Sequence, residues 1–139
     1  MATYNKHEIF SENVMEGVHD MGADALTIAL TPAANAPIAT NSILANLTQI
    51  AYTNLSARVP TISTSAHTTG TYKLVLADLV LTASGAVQTF RYADLYNDTP
   101  TSPVDPLISW WDYASDVTLA NGETFSLDFD ASQGVLQMA

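Results

Sequence analysis

The sequence predicts a mainly β protein, an antiparallel β-sandwich or barrel with one N-terminal amphipathic α-helix. Several short runs of alternating apolar and polar residues, separated by turn residues, are typical of such folds. Only His7 to Met21 has the apolar spacing of three and four residues that indicates a helix. At 139 residues the chain fits one β-rich domain, 1–139, with an N-terminal arm and helix (1–22) and a β-sandwich (23–139).

The predicted helix carries a single apolar stripe that points to one buried or docking face. Glu8 and Glu12 lie in its early turns, where carboxylates favour the helix dipole, and Gly22 is a suitable left-handed stop. The stripe consists of Phe10, Val14, Val18 and Met21.

Period-two alternation begins after this helix. Ala25 to Thr31 is predicted to be the first strand, and the prolines of Pro32 to Asn41 predict a loop. Ser42 to Tyr52 fits either a short helix or the start of a strand. Val59 to Thr64 is predicted to be an edge or irregular strand because it contains a proline, and Ser65 to Thr69 a loop.

The most strongly β segment is Thr71 to Ala83. Asp78 divides its two apolar runs, which predicts a bulge or bend where one long strand changes sheets. Ser84-Gly85 then predicts a tight turn that pairs this strand with Val87 to Tyr96 in a hairpin.

Phe90 to Asn97 is the best candidate for a central strand, since both of its faces carry bulk. Strict alternation places Phe90, Tyr92 and Tyr96 on one face and Arg91, Ala93 and Leu95 on the other. We expect Arg91, Tyr92 and Tyr96 to be structural, with Arg91 paired to a carboxylate, for which Asp78, Asp94 and Asp112 are the candidates.

The prolines of Asn97 to Pro106 predict an exposed loop. The remaining predicted strands lie at Leu107 to Tyr113, Val117 to Leu119, Glu123 to Asp130 and Val135 to Met138.

The net charge of the chain limits the kinds of partner that it can bind. Fourteen acidic and four basic residues give a net charge of −10, which disfavours direct binding of nucleic acid. Neither a signal peptide nor an apolar run of about 18 residues is present, so we expect synthesis in the cytoplasm and no membrane insertion.

No motif for catalysis, a cofactor or a metal stands out, and we expect a protein that is not an enzyme. Asp128, Asp130, Ser132 and Gly134 resemble the start of a calcium loop, but Gln133 and Ala139 occupy the positions that need glycine and an acid. A solvated turn is the better interpretation. The histidines His7, His19 and His67 lack metal-site spacing and are interpreted as surface residues.

Trp110 and Trp111 are the candidates for aromatic recognition. Adjacent residues on a strand point to opposite faces, so we expect one in the core and the other near the surface or at a subunit contact. A carbohydrate-binding module, using either tryptophan with the loop Asp98 to Pro106, is therefore an alternative function.

Beyond these patterns, the chain resembles a family of small virion structural proteins encoded by tailed bacteriophages. The segments that carry the resemblance are Met1 to Lys6, Gly17 to His19 with Ala23 to Leu26, Leu44 to Ile50, Gly70 to Asp78, Phe90 to Tyr92 with Leu95 to Asp98, and Val117 to Phe125.

The resemblance implies a non-enzymatic protein located in the virion. Acidity favours the head exterior over a surface pressed against DNA, so we expect a capsid decoration (cement) protein that binds the major capsid protein. Self-association into trimers is also expected. The docking residues are expected to be Phe10, Val14 and Val18, with Trp110 or Trp111 at a subunit contact. A tail or neck component is the alternative within the virion.

Overall fold

The computed structural model describes residues 2–139 and consists mainly of β-strands. Within this range, one helix, α1 (Ile9–Met15), and two 3₁₀ turns, Ala33–Asn35 and Leu44–Asn46, accompany nine strands. The strands are β1 (Thr3–Lys6), β2 (Leu26–Thr31), β3 (Ile62–Thr68), β4 (Thr71–Leu76), β5 (Leu79–Thr82), β6 (Val87–Asn97), β7 (Leu107–Leu119), β8 (Thr124–Leu127) and β9 (Leu136–Met138). The predicted mainly β fold with one N-terminal helix is confirmed.

The strands form three antiparallel sheets. The largest has the order β1-β7-β6-β2, a second has the order β3-β4-β9, and β5 pairs with β8. The predicted central strand is confirmed, because β6 lies between β7 and β2 and most of its residues are buried.

One apolar cluster joins the three sheets. It contains Ile28 of β2, Leu95 of β6, Leu76 of β4, Leu81 of β5 and Leu127 of β8, among others. A smaller cluster formed by Ala29, Tyr96 and Leu107 lies under Leu44 and Leu47. Strand β2 is therefore covered on both faces, which explains why all six of its residues are buried.

The two edges of the large sheet differ. The outer edge of β2 is closed by the 50–58 segment, since the Ile50 amide donates to Leu30 O and the Ile28 amide to Arg58 O. Strand β1 pairs with β7 alone among the described strands, and its second edge faces no strand.

The helix is shorter than predicted. Gly17 adopts φ +75°, and the amides of Gly17 and Val18 donate to the carbonyl oxygens of Val14 and Asn13, as in a Schellman motif. The helix thus ends at Gly17, inside the predicted apolar stripe, instead of at Gly22. The residues before the helix form β1, which was not predicted.

Two predictions around β3 and β5 are wrong. Strand β3 runs to Thr68 through the expected loop, and its tight turn to β4 contains Thr69 and Gly70, both at positive φ. The expected hairpin across Ser84-Gly85 does not form, because β5 pairs with β8. The predicted change of sheet at Asp78 is confirmed, and its carboxylate accepts a hydrogen bond from the Phe129 amide.

The pairing of β6 with β7 is irregular near Arg91. Phe90 pairs with Val117 and Tyr92 with Asp112, so one residue of β6 faces four residues of β7. This irregularity breaks the predicted alternation: Phe90 shares the main core with Ala93 and Leu95 instead of the face of Tyr96.

Candidate functional site

An open groove of about 1280 Å³ lies on the surface of the described residues, and we call it the aromatic groove. Its lining includes residues of β1, α1, β6 and β7, the end of β4, and the segment that contains β8 and β9. Its rim includes the exposed side chains of Tyr4 (43% exposed), Tyr113 (45%) and Met138 (48%). Partly buried Trp111 and Phe125 lie deeper in the same groove.

Aromatic rings in the groove contact one another edge to face or at a tilt. The centroids of Tyr4 and Trp111 are 5.7 Å apart, and those of Trp111 and Phe129 are 5.6 Å apart. Phe125 contacts Tyr113 at 5.0 Å and lies close to perpendicular to it. Such contacts hold the rings in fixed positions while Tyr4 and Tyr113 stay accessible to a partner.

Arg91 lines the groove as half of an ion pair. Its Nε donates to Asp112 Oδ1 at 2.8 Å and its Nη2 to Asp112 Oδ2 at 3.0 Å, a two-pronged geometry. The same carboxylate accepts from the Ala114 amide, and the hydrogen bond from Arg91 is the main reason that the Asp112 pKa is lowered. The predicted carboxylate partner of Arg91 is thus confirmed and is Asp112.

The two tryptophans divide as predicted. Trp110 is only 8% exposed and stacks at a tilt on His7, with ring centroids 4.6 Å apart, whereas Trp111 reaches the groove. The loop Asp98 to Pro106 does not line the groove. The structure therefore does not bring this loop together with Trp111.

The helix residues predicted to dock on a partner are buried or partly buried. Phe10 is buried in the main core and Val14 packs against it, so the face of α1 that carries them is turned inward. Val18 lies beyond the helix and is partly buried. The solvent-facing apolar residue of α1 is Met15, which is 80% exposed. Tyr92 and Tyr96 are buried in β6, in keeping with a structural role.

His7 is buried, contrary to the interpretation as a surface residue. Its Nε2 lies 2.9 Å from Asp94 Oδ2, and both side chains are fully shut off from solvent. Burial raises the Asp94 pKa to about 6, although the hydrogen bond and charge of His7 oppose this rise. Neither His7 Nδ1 nor Asp94 Oδ1 has a partner among the described residues.

His19 is also buried, whereas His67 is exposed on β3. Asn97 Oδ1 accepts from the Thr99 amide, so the Asn97 amide nitrogen faces His19 Nδ1 at 3.0 Å and also donates to Asp24. His19 Nδ1 is then the acceptor, which leaves the proton on Nε2. Burial lowers the His19 pKa. Sequence spacing carried no signal for either cluster, because Asp94 and Asn97 are distant in sequence.

In the turn that resembles a calcium loop, the carboxylate accepts hydrogen bonds from the turn itself. Asp130 Oδ1 accepts hydrogen bonds from the amides of Ser132 and Gln133 and from the Ser132 hydroxyl, and these bonds lower the Asp130 pKa. Within residues 2–139, no three His, Asp or Glu side chains converge as a metal site would require. No helix in that range has the length and apolar character needed to cross a bilayer.

All four cations are engaged within the chain. Lys6 donates to the Ser11 hydroxyl, Lys73 to Ser132 O, and Arg91 pairs with Asp112. Arg58 donates to Ile28 O and lies 3.5 Å from the ring centroid of Tyr52. The remaining charge at the surface is therefore predominantly negative.

Comparison of the chain with protein-family models, with curated proteins and with solved structures found no match.

Proposed function

We propose that this chain is a virion structural protein of a tailed phage, which decorates the outside of the head by binding the major capsid protein. The observation that carries the proposal is the aromatic groove, where Tyr4, Tyr113 and Met138 are exposed together on an acidic body. Exposed apolar side chains grouped on one concave surface are typical of sites for protein contact. The resemblance of the sequence to phage virion proteins favours a partner within the particle, and the acidity of the chain favours the capsid exterior.

The charge distribution supports the outer surface. With a net charge of −10 and each cation engaged internally, a face pressed against packaged DNA would be repelled. An outer shell surface carries no such cost.

The mechanism is mechanical. A decoration protein that spans neighbouring capsid subunits binds only the closed, expanded shell, and its binding free energy is then added to the stability of that shell. A stable contact of this kind buries about 1,200–2,000 Å² in total, more than the groove alone supplies, so neighbouring surface also takes part.

The test is binding to expanded heads from which decoration proteins have been stripped. We expect saturable binding, and greater resistance of the loaded heads to heat. Tyr113→Ala, in the groove, should weaken binding, whereas Val104→Ala removes an exposed apolar side chain outside the groove and should not. Failure to bind heads, together with assembly of the isolated protein into rings or tubes, would instead favour a tail or neck component.

A carbohydrate-binding module is the second candidate, and the position of Trp111 in the groove favours it, since sugars stack on flat aromatic faces. Saturable binding on a glycan array that is lost in Trp111→Ala, without binding to heads, would place this function first.

A further inference from the structure

We infer that the aromatic groove binds an extended basic segment of its partner, in which lysine or arginine side chains alternate with apolar ones. This inference rests on the proposed function and deepens it, because it specifies the chemistry of the capsid segment that the groove recognises.

The charges that line the groove favour a cationic occupant. Asp78, Asp128 and Asp130 all belong to its lining, and Asp128 is exposed. The two cations in the lining are already engaged, Lys6 with the Ser11 hydroxyl and Arg91 with Asp112. The groove thus presents three carboxylates against two cations, of which Arg91 is already paired with Asp112, so its net charge is negative.

The aromatic side chains favour the same occupant. The electron-rich faces of Tyr and Trp attract Lys and Arg side chains, and their apolar area accepts the aliphatic stems. Exposed Tyr4, Tyr113 and Met138 line the same groove as its carboxylates, so a bound segment can contact both apolar and acidic surface. The open shape of the groove suits an extended chain.

A second copy of this protein is a poor occupant. Each copy carries fourteen acidic residues and four basic ones, and this face holds more carboxylates than cations, so two copies repel each other there.

The experiment measures binding of three eight-residue peptides by calorimetry at low and moderate salt. One alternates lysine with valine, the second glutamate with valine, and the third lysine with serine. We expect saturable binding of the lysine–valine peptide alone, weakened by salt. Equal binding of the glutamate–valine peptide, or binding of none, would overturn the inference.

Two variants with the same change in net charge test whether the peptide binds in the aromatic groove. Asp128→Asn removes a groove carboxylate and should weaken binding of the lysine–valine peptide by about two- to fivefold. This is the range expected for the loss of an exposed ion pair. Glu16→Gln removes an exposed carboxylate after α1, outside the groove, and should leave binding unchanged. Equal weakening by both variants would show a non-specific effect of net charge and overturn the inference.

The stripped-head assay separates the two proposals. The protein could bind heads with an affinity that neither Asp128→Asn nor competition by the lysine–valine peptide changes. That result would reject the proposal of a basic segment, while the decoration role stands. Binding of the peptide in the groove without binding to heads would reject the decoration role alone.

Discussion

The imidazole of His7 and the carboxylate of Asp94 lie 2.9 Å apart, without contact with solvent, and join the N-terminal segment to the central strand β6. A buried carboxylate stays ionised only at a cost, so the fold prefers its protonated form. The folded-state pKa of about 6 lies above the ordinary value of 3.8.

This pair predicts a specific dependence of stability on pH. Because the pKa of Asp94 is raised on folding, its contribution is fully present below about pH 4 and is lost as the pH rises through about 6. The loss is at most about 3 kcal/mol of unfolding free energy, since one pKa unit corresponds to about 1.4 kcal/mol.

Asp94→Asn should abolish that contribution, so the difference in unfolding free energy from the native sequence should change between pH 4 and 6. Urea unfolding at several pH values measures it. Glu16→Gln, at an exposed position, should leave the curve parallel to that of the native protein. Parallel curves for both variants would contradict the assignment.

Arg91→Ala should lower the melting temperature by a few degrees. The change removes both hydrogen bonds to Asp112 and leaves an irregular stretch of β7 without its anchor. Arg91→Lys should recover only part of the loss, because an ammonium group does not reproduce the two-pronged contact. A normal melting temperature together with normal incorporation into particles would show that the ion pair has no structural role.

Gly134→Ala should destabilise the protein more than Gly122→Ala does. Both glycines have positive φ, of +75° and +84°, and the strain of alanine there costs about 1–2 kcal/mol. At Gly134 the added Cβ would also lie 2.5 Å from Leu74 O, whereas at Gly122 it meets nothing within 4 Å. Chemical denaturation compares the two, and equal losses would contradict the steric argument.

Phe10→Ala should cost about 3–5 kcal/mol of unfolding free energy, as expected for a buried aromatic residue. Met15→Ala, on the exposed side of the same helix, should change it by less than about 0.5 kcal/mol. The comparison separates the core face of α1 from its solvent face. A stable Phe10→Ala variant that fails to bind heads would restore Phe10 as a docking residue.

Local chemistry accounts for what the sequence predicted well. Alternation identified β2, β6 and most of β7, and the acid at Asp78 identified the change of sheet, because these signals lie within a few residues. The end of α1 was misplaced because Gly17 falls at a position compatible with the apolar stripe, and only its backbone conformation shows that it is a stop.

Long-range pairings were beyond such reasoning. His7 meets Asp94 only because β1 adds to β7, and neither residue type nor spacing indicates that strand. The groove likewise combines β1 with β8 and β9, so Tyr4 was not singled out. For Arg91, in contrast, the scarcity of cations made an internal partner predictable, while the choice among three carboxylates depended on register.

The unequal edges of the large sheet restrict how this protein can self-associate. Strand addition is open at β1 and blocked at β2, so two copies joined through their β1 edges would form a finite, two-fold symmetric sheet with no edge left to extend. Growth through this pairing therefore ends at two copies. A ring of three copies therefore requires a contact other than the pairing of two β1 edges.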